Sequence, residues 1–154
     1  MQQFVADRML GKLAKWLRVL GCDVVYLKRA DEEEILEKLQ EGRTLLTRNR
    51  RARSWQNKGR VFVVKENDPK LQLREVVKGF GLHELDGAIF SRCLSCNHPL
   101  DEVRREEVRE EVPEYIYQTQ REFHRCKDCG KIYWPGSHAV RMRQQLKEIL
   151  EKSE

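Results

Sequence analysis

Four cysteines carry the plainest chemistry in this sequence. Cys93 and Cys96 form one C-x-x-C pair, CLSC, and Cys126 and Cys129 form a second, CKDC. The 29 residues 97–125 separate them. Two cysteines three apart on a tight turn present both thiolates to one ion, and two such turns complete the tetrahedron zinc prefers at a closed structural site. Asn97 and Gly130 follow the second cysteine of each pair, where the chain must turn sharply and tolerate positive φ. Zinc is expected here before disulfides, because both pairs share one form and no secretory signal leads the sequence. A site filled by four thiolates has no open position, so this zinc should hold structure and not activate water. Replacing Cys126 with Ser should loosen the cysteine-bearing module and leave the α/β part largely folded. The fifth cysteine, Cys22, stands beside an apolar stretch and reads as a small buried hydrophobe.

A second set of chemical residues is acidic or basic. Asp7, Asp31 with Glu34, and Asp68 each lie just after an apolar run, and Thr47-Arg48-Asn49 follows another. Carboxylates gathered at one edge would make an oxygen-lined site for magnesium or manganese. Each also has a structural reading: Asp7 as a helix cap, Asp31 and Glu34 as a capping box, and Asp68 before Pro69 as a helix start. The net charge is +5. Residues 48–60, RNRRARSWQNKGR, hold six cations and no acid, whereas 101–114 mix seven acids with three arginines and read as a solvated face. Arg8, Lys12 and Lys15 share a helical spacing, and Arg48, Arg50, Arg51 and Arg53 start near the same edge, so both sets are candidate phosphate contacts. Trp55, Trp134 and His138 are candidates for an RNA-facing role, by stacking in the case of the tryptophans. Their alternatives are core packing for Trp55, packing on the cysteine knuckle for Trp134, and an internal hydrogen bond for His138.

These residues need elements to position them. FVA (4–6) predicts a strand, followed by a helix through Leu20 with Leu10, Leu13, Ala14, Leu17 and Leu20 on one face. Gly21 should end that helix. Strand 23–27, helix 32–41, strand 44–46, helix 50–57, strand 61–64 and helix 69–79 follow. Apolar strands alternating with helices predict an open parallel sheet covered on both faces. In such sheets ligands bind beyond the carboxyl ends of the strands, where Asp7, Asp31, Asn49 and Asp68 fall. A glycine-rich boundary is expected within 79–90. The chain thus divides into an α/β domain (1–85), a zinc ribbon (90–137) and a C-terminal helix (138–152).

FVADRMLGKLAKWLRVLGCDVVY, LLTRNR, the two C-x-x-C pairs and KIYWPGSH together resemble the Mut-seven C-terminal ribonuclease-type family, over about residues 3–143. The resemblance implies a PIN-like α/β nuclease domain followed by a zinc ribbon, and a metal-dependent ribonuclease activity. Asp7 matches the family's first acidic position, the acids of DEEE (31–34) its second region, and the four cysteines its zinc ligands. One position departs: the family's T-R-D reads Thr47-Arg48-Asn49 here. An amide oxygen can still ligate a hard cation but brings no charge, so metal binding should be weaker.

The leading expectation is a magnesium- or manganese-dependent ribonuclease with Asp7, Asp31 and Asp68 as metal ligands, Glu34 as a fourth, and Asn49 in the weakened position. Two other classes compete. One is a non-catalytic RNA-binding protein, ribosome-associated, whose site has lost a carboxylate at Asn49; the other is a protein-interaction adaptor using the ribbon. No apolar run is long enough to cross a membrane and no signal segment opens the sequence, so a cytoplasmic, membrane-free protein is expected.

Overall fold

The computed structural model describes residues 2–29, 31–82 and 88–151. Four strands form the first sheet: β1 (Gln3–Ala6), β2 (Asp23–Tyr26), β3 (Thr44–Thr47) and β4 (Val61–Val63). They pair parallel throughout in the order β2-β1-β3-β4. The chain steps from β1 to one side for β2 and returns to the other side of β1 for β3. A switch of direction therefore falls between β1 and β3, the place at the carboxyl edge where open α/β sheets take their ligands.

Both faces of this sheet are covered, as the apolar strands predict. Phe4 and Ala6 point to one face and Val5 to the other, and each is 0% exposed. Helices α1 (Gly11–Val19) and α3 (Pro69–Phe80) cover the first face. The predicted stripe of Leu10, Leu13, Ala14, Leu17 and Leu20 lies in that core, each leucine contributing about 1.5–3 kcal/mol of burial. Helix α2 (Glu32–Gln40) covers the second face through Ile35 and Leu39. The first helix opens as a 3-10 turn, Arg8–Leu10. It ends at Gly21, whose φ is 95°. A Cβ at Gly21 would also collide with the Ala88 carbonyl, so a close approach as well as the turn requires glycine there.

The helix expected over 50–57 is a 3-10 helix, Arg50–Lys58. Its only inward residues, Ala52 and half-buried Trp55, are three apart and meet the second core. A helix with three residues per turn stacks such a pair along one ridge, and the run of arginines offers nothing apolar at i+4 to favour the wider turn. Trp55 is thus a core residue.

The second sheet is antiparallel, with order β5-β6-β7: β5 (Leu100–Val103), β6 (Phe123–Cys126) and β7 (Ile132–Tyr133). The acidic stretch expected to be only a solvated face is more ordered than that. It contains β5 and a 3-10 turn, Arg105–Val108, leading to the short helix α4 (Glu114–Thr119). Val108, Ile116 and Phe123 build a third small core beneath its exposed acids. The last helix, α5 (Ser137–Glu151), packs Met142, Leu146 and Ile149 into the first core of the parallel sheet. Residues 83–87 of the expected boundary lie outside the described residues. Among the described residues no helix is long and apolar enough to cross a membrane.

Candidate functional site

The two C-x-x-C pairs converge. All four sulfurs lie within 4.8 Å of one another, with Cys93 Sγ 3.6 Å from Cys129 Sγ and Cys96 Sγ 3.2 Å from Cys126 Sγ. Zinc–sulfur bonds of about 2.3 Å in a tetrahedron set sulfurs about 3.8 Å apart, so the four can hold one zinc ion with small adjustment. The knuckles have one design. Asn97 N–H donates to the Cys93 carbonyl and Gly130 N–H to that of Cys126; Cys93 N–H donates to His98 and Cys126 N–H to Lys131. Asn97 and Gly130 take φ of 74° and 77°, as the turn requires. Burial alone would raise the Cys93 thiol, but hydrogen bonds from the Tyr133 hydroxyl and from Cys96 and Ser95 backbone groups outweigh it and bring it down to about 6. Cys22 is buried and takes no part; burial pushes its thiol up to about 11.

The first knuckle is fastened to the parallel sheet by polar groups. Asn97 Oδ1 accepts from Val24 N–H at 2.9 Å, and Asn97 Nδ2 donates to Asp23 Oδ1 at 2.6 Å, so the knuckle caps edge strand β2. Burial disfavours the Asp23 carboxylate, yet hydrogen bonds from Arg43 and Asn97 overcome this and hold it below its ordinary value. Arg18, only 7% exposed, donates through Nε and Nη2 to the Val24 carbonyl and through Nη1 to that of Leu94. Four thiolates around one dication carry a net charge of about −2, which this buried guanidinium is placed to offset. Sequence reading assigned Asn97 only a backbone role and missed Arg18, which sits on the inner face of an otherwise regular amphipathic helix. Asn97→Ala should cost about 2–3 kcal/mol, from two lost buried hydrogen bonds and a strained backbone. Urea denaturation of Asn97→Ala beside Asn97→Gly separates the two contributions, since glycine restores only the backbone freedom.

The polar residues at the carboxyl edge are all helix caps. Asp7 accepts from Met9 N–H, Asp31 from Glu33 N–H, Asn49 from Arg51 N–H, and Asp68 from Lys70 and Leu71 N–H. The Asp31 bond runs to Glu33, and Glu34 is exposed on the first turn of α2. Among the described residues, the four cysteines are the only group of three or more His, Cys, Asp or Glu side chains placed to hold one ion. Asp7, Asp31, Glu34 and Asp68 are therefore not gathered as a set.

Two positions are linked through a third, by the side chain of one and the backbone of the other. Asp7 follows β1 and Asn49 follows β3, on either side of the switch point. Thr47 joins them: its hydroxyl donates to Asp7 Oδ2 and accepts from Asn49 N–H at 3.0 Å. Asp7 and Thr47 are buried while Asn49 is exposed. Thr47 was named only as part of the Thr47-Arg48-Asn49 segment and given no role of its own, because a threonine ending a strand is ordinary by composition. Asp31 and Asp68 follow the two edge strands and flank this centre.

The basic residues divide between two places. Arg8, Lys12, Lys15, Arg50, Arg51 and Arg53 are exposed. Arg48 is half-buried and donates to the Glu66 carbonyl, which ties it to the loop after β4. Trp134 packs edge-on against Phe123, with ring centroids 6.2 Å apart, within the third core. His138 is exposed at the start of α5.

A parallel α/β sheet of order β2-β1-β3-β4, joined to a ribbon carrying four clustered cysteines, defines the class of this molecule. A family model, the Mut7-C RNAse domain, matches residues 2–146, and the chain belongs to that family. It is 22% identical to the human exonuclease mut-7 homolog over an alignment covering 97% of this chain and 26% of that protein. The chain thus spans about a quarter of the length of that relative. No solved structure matches the chain.

Proposed function

We propose that this chain is a metal-dependent ribonuclease domain whose working centre is the switch point at Asp7, Thr47 and Asn49. The observation that carries this reading is the bond network of Thr47, which ties the buried Asp7 carboxylate to the backbone N–H of Asn49 where open α/β sheets take their ligands. The donors are of the right kind for magnesium or manganese. Such ions take one or two carboxylates and complete their shell with water and substrate phosphate. Asp7 spends one lone pair on each oxygen and keeps another free, since a carboxylate has about four acceptor sites. A bound ion there would polarise a phosphodiester and lower the pKa of water. Asp7 and Asn49 would hold the ion, Asp31, Glu34 and Asp68 would contribute from the flanks, and Arg8, Lys12 and the Arg48–Arg53 run would bind the RNA backbone.

Zinc would occupy the four cysteines as a structural ion, and a cytoplasmic location is part of the same proposal. Asp7→Asn should lower manganese-dependent cleavage of a labelled RNA by on the order of 100-fold. Cleavage that survives this change would defeat the reading. The exposed amide at Asn49, where a charge is expected, favours a second account: a non-catalytic RNA-binding protein, ribosome-associated. It expects RNA retention with no cleavage by wild type at any manganese concentration.

A further inference from the structure

A cavity of about 1100 Å³ opens between α1, the ribbon and α5, away from the sheet edge. Four cations line it: Arg92, whose guanidinium donates to the Gly21 and Asn97 carbonyls, and Lys15 of α1, Lys131 before β7 and Arg143 of α5. None forms an ion pair with a described residue. Glu122 is the sole acid among the described lining residues. The groove therefore holds uncompensated positive charge, which favours a polyanion.

Its walls are also aromatic. Tyr115, 66% exposed, and half-buried Trp134 both line it. Exposed aromatic faces between cations suit unpaired bases, because every base offers a face to stack on while its phosphate meets a cation. A duplex keeps its bases stacked inside and offers these walls little. Lys15 and Lys12 share one side of α1, and Arg8 stands on the 3-10 turn that leads into it. At about 1.5 Å per residue along α1 and about 2 Å through the 3-10 turn, Lys15 stands roughly 14 Å from Asp7, so the groove and the switch point can share one strand.

We propose that this groove binds a single-stranded segment of RNA and that the strand runs from it along α1 toward Asp7. The proposal rests on RNA being the ligand of this protein, and it adds strand type and path. Anisotropy of a labelled RNA, single-stranded or annealed to its complement, tests it on the zinc-loaded full chain without added magnesium or manganese. Tyr115→Ala should weaken single-strand binding by at least about fivefold and leave duplex binding unchanged. Replacing Lys15, Lys131 and Arg143 together by Ala should reduce the slope of log affinity against log salt by about 2. All four side chains are on the surface, and melting curves matching wild type show that the variants fold. Wild-type affinity and salt slope in these variants would overturn the proposal. So would equal weakening of strand and duplex, or displacement of RNA by polyglutamate at equal charge concentration, which would mark an acidic protein as the occupant. Cleavage of the same RNA by wild type with manganese is scored separately. Cleavage with an idle groove sinks only this proposal, and a working groove without cleavage sinks only the nuclease.

Discussion

Removing zinc should unfold the ribbon and lower the melting temperature of the parallel sheet by about 10 °C. Binding of a structural zinc is worth about 10–16 kcal/mol in small zinc modules, and that energy is folding energy for whatever the thiolates hold in place. Here they hold more than the ribbon. Without the first knuckle, Val24 N–H loses Asn97 and the buried Arg18 guanidinium loses the Leu94 carbonyl. Each orphaned buried group costs about 1–3 kcal/mol, and each kilocalorie moves the melting point of a chain this size by about 2–4 °C. Cys126→Ser should act in the same direction. The fastening of Asn97 to β2 thus adds a loss of stability to the expectation, from spacing alone, that the α/β domain stays largely folded. Hydrogen exchange reads the effect directly: the Val24 amide should lose protection with the ribbon amides when a chelator is added, and regain it with zinc. Protection at Val24 that persists while the ribbon exchanges freely would show the two parts to be independent.

Asn49→Asp should raise manganese affinity at the switch point by about tenfold and raise cleavage with it. An added negative charge about 4 Å from a dication is worth roughly 8 kcal/mol at an effective dielectric near 20, most of it offset by its own desolvation and by repulsion from Asp7. Asparagine and aspartate are equally good caps, so the bond to Arg51 N–H and the 3-10 helix should survive. The charge is then the main difference between the two proteins. A manganese titration of RNA cleavage by wild type, Asn49→Asp and the double variant with Asp7→Asn checks it. Should Asn49→Asp cleave no faster than wild type, the Asp7–Asn49 pair is not where the catalytic ion sits.

Much of this was legible because simple periodicities governed it. The leucines of the first helix, the two-sided apolar strands and the twin cysteine knuckles follow from spacing alone. What stayed hidden lay in contacts between segments far apart in sequence. Nothing local to Arg18 says that its charge turns inward, since the carbonyl it serves at Leu94 is 76 residues away. Thr47 gains its meaning only when β3 is laid beside β1, which places its hydroxyl on Asp7. Caps and ligands use the same residue types at the same strand ends, so Asp31 and Asp68 remain capping residues by geometry and flank the centre by position.

The placement of α5 bears on how the chain folds as it is made. Arg74 of α3 donates to the Ile149 carbonyl, and Met142, Leu146 and Ile149 close the core begun by α1 and α3. Translation delivers those three residues only after the whole ribbon has left the ribosome. At about 5–20 residues per second, the seam between α1 and α3 stays uncovered for several seconds after both helices exist. Contacts this distant in sequence also slow the final search, because a long loop must close before they form. Thiolates that capture their ion during that interval would fix the intervening segment into a short, stiff path and deliver α5 to the open seam.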